Sequence, residues 1–279
     1  MDEFFRLKSA YKNMLSIMLF FFISSISFAN SLSLFPIENY NQNVNYWISP
    51  NDPHYNKPIL SNTYQQQRLN ELRHTFFGTD NIDNSPWSQK NIEYLFSPKK
   101  QNGKSIYLGE QFFLSDFDNQ NNNSDSIYYG RNYRPYNKNW ITKIANNINL
   151  EQFNKPLTFS EKNRAITIDN TMLRVLPTND PAFLDFRIAG QGYPFDLIQN
   201  SILFSGTSLY IIGESKNKQW LLVLSPYAIG WVLTKDVARV DNKFIQKWQK
   251  SAYNNIGAVI KTDLSVTDIN NLYRFTGYI

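Results

Sequence analysis

The 279 residues include no cysteine. This excludes thiol catalysis by the chain alone, because the nucleophile of a cysteine peptidase is a thiolate. It also excludes disulfides, the usual staples of small exported domains, so a core here must rest on apolar burial. Histidine is scarce too: His54 stands in a Pro-rich stretch and His74 on an expected helix face. Two unpatterned histidines do not make a metal site, which needs several ligands converging. No G-x-S-x-G or S-x-x-K pattern offers a serine nucleophile. No pair of carboxylates stands out for glycosidic cleavage. Lysine and arginine are not clustered as in a nucleic-acid binder, and the formal charge of +5 is mild. Neither cofactor, metal, catalytic residue nor nucleic-acid partner is expected. Long apolar runs are also scarce. Met14 to Phe28 is the one near-continuous run, and it is serine-broken and shorter than the about 20 residues a membrane span needs.

That run has a function of its own. Arg6, Lys8 and Lys12 precede it, and Ser27-Phe28-Ala29 closes it with small residues three and one before a cut after Ala29. A basic start, a short apolar stretch and a small-x-small end predict a secretory signal peptide over residues 1–29 and a mature chain from Asn30. Cleavage removes three basic and two acidic residues, lowering the net charge from +5 to +4. The chain is expected to be exported to the periplasm or cell envelope. Aromatics are plentiful (17 Tyr, 21 Phe and 6 Trp), and each can bury a large area.

Asn30 to Ser61, rich in Pro and Asn, reads as an extended arm. Tyr64, Leu69, Leu72, Phe76 and Phe77 recur at helical spacing over Thr63 to Phe77, with Thr63 as N-cap and Gly78 as the stop. Ser85-Pro86-Trp87-Ser88 restarts a short helix with Pro86 in its first turn, and Ile92, Leu95 and Phe96 form its apolar face. Asp118 to Ser126 is a polar low-complexity run, read as a surface loop. Trp140, Ile141, Ile144, Ile148 and Leu150 again have helical spacing.

After Pro156 the period shortens. Runs at Ala165 to Ile168, Thr171 to Leu176, Thr207 to Ile212, Gln219 to Leu224 and Ile229 to Leu233 predict short strands punctuated by Gly and Pro, as in a small barrel or sandwich. The gap from Leu176 to Thr207 is long for a hairpin, and long loops in compact β units are usually functional.

The segment Ala165 to Asp241 carries an ordered set of motifs. Arg174-Val175-Leu176-Pro177-Thr178 comes first, then Gly190-Gln191-Gly192-Tyr193-Pro194-Phe195-Asp196 with Gln199 close behind. Trp220, Gly230-Trp231-Val232 and Asp236-Val237-Ala238 follow. This order resembles the first bacterial SH3-like (SH3b) domain of NlpC/P60 cell-wall peptidases that carry an N-terminal stabilising region. Phe76-Phe77 with Pro86-Trp87 is similar to that family's stabilising segment, and Tyr129-Gly130, Arg134-Pro135 and Trp140 to its linker. Ala258-Val259-Ile260 and Phe275-Thr276-Gly277 are similar to the opening of a second SH3-like barrel.

The resemblance implies an α+β chain: a mainly β SH3-like barrel at 161–250, preceded by an irregular, partly helical clip region and linker at 30–160. An incomplete second barrel would follow at 251–279. It also implies two functional readings. In one, the chain is a non-catalytic envelope protein that binds peptidoglycan or its stem peptides. In the other, it is the truncated N-terminal part of a γ-D-glutamyl-diaminopimelate-type endopeptidase, whose Cys/His domain is missing or on another NlpC/P60 chain.

Each motif residue also has a local reading. Gly190 and Gly192 permit backbone angles closed to other residues. Pro194 fixes its own φ and biases Tyr193 to extended geometry. Asp196 can cap a turn, and Trp220 and Trp231 sit in strand-like runs, so all three read first as barrel-building residues. Tyr193, Phe195 and Tyr227 fall in expected loops. There, packing and stacking on a sugar face or a peptide both remain open.

Overall fold

In a computed structural model, the described residues are 41, 43–78, 84–96, 102–120, 126–257, 264–267 and 270–277. The expected leader at 1–29 and the strand expected to include 258–260 lie outside them. Two compact units divide at residue 59, Met1–Ile59 and Leu60–Ile279. In the first, the expected extended arm is interrupted by one helical turn, Val44–Trp47. The Asn43 side chain starts it by accepting the Asn45 amide at 3.0 Å, the local bonding that asparagine favours.

The second unit opens with helix α1, Asn62–Leu72, capped by Ser61, whose Oγ accepts the Tyr64 amide at 3.3 Å. The cap is therefore Ser61 and not Thr63, which already lies inside the helix. A π-helical turn, Arg73–Phe77, continues it to Gly78 at φ 64°. The π turn changes the phase of the face. Tyr64 and Leu72 stay exposed, while Phe76 reaches Tyr227, with ring centroids 5.4 Å apart.

Helix α2, Gln89–Leu95, is capped by Ser88. Pro86 lies in the turn before the cap rather than in the first helical turn. Trp87 beside it is buried, and its Nε1 donates to the Ala165 carbonyl at 2.7 Å. Ile92 and Phe96 are buried, but Leu95 is not.

Helix α3, Asn102–Asp116, has no counterpart in the sequence reading. Helix α4, Lys138–Asn147, runs where the spacing predicted, with Ile141 and Ile144 buried. The polar run between them does not begin as a solvated loop. Asp118 is buried and paired with Lys138. Asn119 accepts the Tyr128 amide and donates to the carbonyls of Tyr128 and Tyr136, tying the run to the backbone that follows it.

The barrel is a seven-stranded antiparallel sheet in the order β3-β2-β6-β5-β4-β1-β7. Its strands are β1 Arg164–Thr167, β2 Thr171–Arg174, β3 Gln199–Leu203, β4 Ser208–Glu214, β5 Trp220–Leu224, β6 Ile229–Leu233 and β7 Val237–Arg239. β3 lies within the gap that was expected to be all loop, so the connecting loop is confined to 175–198. Helix α5, Asn242–Asn254, follows with Asp241 as its N-cap. A separate pair, β8 Leu264–Thr267 and β9 Tyr273–Gly277, forms a two-stranded sheet.

Two cores share the central strands. Leu209, Ile211, Leu221, Val223 and Val232 point into the barrel with Ala165, Leu173 and Leu203. The alternate residues Tyr210, Ile212, Trp220, Leu222, Leu224 and Trp231 point outward, against Ile106, Phe117, Ile141, Ile144 and Phe153. The helical region is thus a layer on the barrel, and β4 and β5 are buried on both faces. The chain is α+β, a mainly β barrel preceded by a partly helical region, as the motifs implied.

Candidate functional site

The loop 175–198 leaves the barrel at Arg174 and returns at Gln199. The Arg174 side chain is almost fully buried, with Nη1 3.0 Å from Asp196 Oδ2. The same nitrogen lies 3.3 Å from Gln199 Oε1, and Nη2 donates to the Asp180 carbonyl at 2.9 Å. Asp196 uses its other oxygen to accept the amides of Ala182 and Ile198, each at 3.0 Å. One buried guanidinium and one carboxylate therefore tie both limbs of the loop to the end of β2. A charge this deep is tolerable because it is paired and hydrogen-bonded. Pro177, three residues after Arg174, is buried.

The segment 126–140 lies along the outer limb. The Tyr129 amide donates to Phe183 O at 2.7 Å, and the Phe183 amide returns the bond to Tyr129 O at 2.9 Å. Tyr136 stacks on Trp140 at 3.8 Å, its hydroxyl donates to Pro181 O at 2.7 Å, and Trp140 Nε1 donates to Asp180 Oδ2 at 3.1 Å. Burial, with Asp180 and Asp196 nearby, pushes the Tyr136 phenol up to about 12.

This frame presents aromatic rings to solvent. Gly192, at φ 73°, packs so tightly on Phe186 that an added Cβ would come within 2.8 Å of its Cα. The close approach carries the chain straight into Tyr193, whose peptide to Pro194 is cis. Tyr193 is 72 % exposed and Phe195 54 %. Tyr193 meets Phe183 edge-on at 6.1 Å, while Phe186 meets Tyr133 at 5.0 Å and Tyr129 at 6.5 Å. Tyr133 holds φ 56°, a costly angle for a bulky residue. Beside these rings, Arg187 and Asp185 form an exposed fork with bonds of 2.6 to 3.1 Å. The fork holds the Asp185 carboxyl below its usual range. A depression of about 310 Å³ opens here, lined by Tyr129, Leu184, Asp185, Arg187, Ile188 and Gln191 among others.

The sequence candidates separate cleanly. Tyr193 and Phe195 lie on this surface. Tyr227 is exposed on the β5–β6 turn, and its ring partner is Phe76 rather than a ring of the loop. Arg174, Asp196 and Gln199 form the lock beneath the loop. Trp220 and Trp231 are buried core residues, and Trp231 Nε1 donates to Glu110 Oε2 at 3.0 Å. Gly230 is required by packing, since a Cβ there would lie 2.8 Å from Arg174 O. Tyr133, Phe183 and Phe186 were not singled out in the sequence, where nothing marked them as neighbours of Tyr193. Among the described residues no group of acidic and histidine side chains could hold a metal ion.

Comparison with known proteins agrees with this frame. Residues 181–233 match the pattern of an SH3 domain of the SH3b1 type. No curated protein matches the chain. Among solved structures, an NlpC/P60 endopeptidase from Photobacterium damselae subsp. piscicida is 30 % identical, with a TM-score of 0.53. The match covers 70 % of this chain and 40 % of that one, so the chain spans less than half the length of the enzyme it resembles. The chain therefore carries a bacterial SH3-like domain of the SH3b1 type, in a setting consistent with the SH3b region of NlpC/P60 proteins.

Proposed function

We propose that this is an exported cell-envelope protein that binds peptidoglycan, through its stem peptides or sugars, on the aromatic surface of the 175–198 loop. The observation that carries the reading is the exposure of Tyr193 and Phe195 on a loop locked to the barrel by Arg174 and Asp196. Rings held rigidly in solvent lose little freedom on binding, so their contact area converts efficiently to affinity. A ring face suits the apolar face of a sugar, and the Asp185–Arg187 fork beside it offers polar partners to a peptide. The signal-peptide pattern ending at Ala29 supports export. The absence of a thiol among the 279 residues supports a binding role rather than hydrolysis by this chain alone.

A pull-down on insoluble peptidoglycan tests the reading. The protein should sediment with the polymer. Tyr193→Ala combined with Phe195→Ala should reduce retention about tenfold, as expected for losing two exposed anchors, while the melting temperature stays within a few degrees of the parent. Unchanged retention by a folded double variant would defeat the assignment of this loop.

A second reading rests on the 40 % coverage of the endopeptidase. Here these residues serve as the SH3-like portion of a larger peptidase assembly, with a Cys/His domain supplied elsewhere. An open frame for such a domain downstream of the codon for Ile279, or co-purification with a catalytic chain, would select it.

A further inference from the structure

A second cavity lies away from the loop surface, between the helical layer and the barrel. Leu95 and Phe96 at the end of α2, Ile106, Gly109, Glu110 and Phe113 on α3, Val175 at the start of the loop, and Leu224, Ile229 and Gly230 of the barrel line most of it. Its volume is about 310 Å³, roughly twice that of an apolar cavity able to take benzene. The walls are mostly hydrocarbon, and Glu110 is the single titratable side chain among the described lining residues.

Glu110 is only 5 % exposed. Its Oε2 accepts from Trp231 Nε1 at 3.0 Å, and among the described residues no lysine or arginine lines the cavity to balance its charge. A buried carboxylate without a cation is costly, so this position is poor as a packing solution.

Gly109 points the same way from independent geometry. It sits inside a 15-residue helix, where glycine costs about 1 kcal/mol relative to alanine. Yet a Cβ added there would meet nothing within 4 Å. Packing does not require this glycine, and its absent side chain keeps the cavity wall open beside the carboxyl group.

We propose that this cavity binds a small, mostly apolar molecule bearing one ammonium group, with Glu110 as its counter-ion. The hydrocarbon walls would take the ligand's body, and its ammonium would supply the cation that Glu110 lacks. A charge-assisted bond in such surroundings is stronger than a neutral one, so the site should discriminate between an amine and a neutral molecule of the same shape.

Titration calorimetry at pH 8 tests this with 2-phenylethylamine and its neutral counterpart 2-phenylethanol. The amine should bind the full chain about tenfold or more tightly than the alcohol. Glu110→Gln, which keeps an acceptor for Trp231, should remove that advantage. Gly109→Leu should fill the cavity and abolish binding of both probes, with a melting temperature equal to or above that of the parent. Equal affinity for the amine in the parent and in Glu110→Gln would overturn the proposal. So would amine binding that survives in a folded Gly109→Leu variant, or no amine binding in the millimolar range.

Discussion

Burial sets Glu110 against Trp231 without a cation, and the cost of charging it there raises its pKa from 4.5 to about 7. The indole bond opposes this shift and is the smaller effect. A raised pKa means that the folded state holds the proton more tightly than the unfolded chain. The resulting stability is fully present below about pH 4.5 and is lost as pH rises through 7. We predict that urea unfolding of the unliganded chain loses on the order of 3 kcal/mol between those limits relative to Glu110→Gln. A pH-independent difference between the two proteins would refute the buried-acid description. Residue identity made part of this scale legible. Asp196 reads as a turn cap in the sequence and is one, through the amides of Ala182 and Ile198. Its pairing with Arg174 was hidden, because 22 positions of chain separate a strand residue from a loop residue and no local pattern joins them. Glu110 was hidden for the same reason, since its partner is 121 positions away.

Strands β1, β2, β4, β5 and β6 and helices α1, α2 and α4 follow from local pattern, whereas β3, β7, α5 and above all α3 do not. The α3 sequence, NGKSIYLGEQFFLSD, places Ile106, Glu110 and Phe113 on one face, but Gly103 and Gly109 weaken the helical signal. A second clue lay in the strands. The run Trp220-Leu221-Leu222-Val223-Leu224 lacks polar alternation, and a strand buried on both faces reads this way. It required a covering layer, and α3 and α4 supply it. The α1 cap falls two residues before Thr63 because Ser61 offers an equally plausible hydroxyl earlier in the chain. At this scale, Gly230 is the residue on which the joining of two strands depends. It faces Arg174 O and Leu173 across the single pairing of β2 with β6. Gly230→Ala should therefore destabilise the barrel by about 1–3 kcal/mol, toward the upper end because the obstacle is backbone. Denaturant midpoints for the variant and the parent measure this directly, and an unchanged midpoint would show that β6 can move away from β2.

Across the whole molecule, order should be uneven. Among the described residues β8 and β9 pair only with each other, and a lone two-stranded sheet is marginal in water. Native-state hydrogen exchange should find the amides of Leu264–Thr267 and Tyr273–Gly277 exchanging well before those of β4 and β5. Equal protection would mean that another surface covers the pair. The opposite end of the second unit is held differently. Gln249 on α5 donates to the carbonyls of Phe77 and Gly78 at 2.7 and 2.8 Å, and Arg73 donates to Tyr253 O at 3.1 Å and lies over its ring. In order of synthesis, the segment around Phe77 leaves the ribosome 172 residues ahead of the glutamine that fastens it. Its closure entropy can be met only once the intervening barrel has brought the two together. The part of the helical region made first is thus among the last to be secured, and until then its half-buried Phe76 and Phe77 must travel without α5 to hold them.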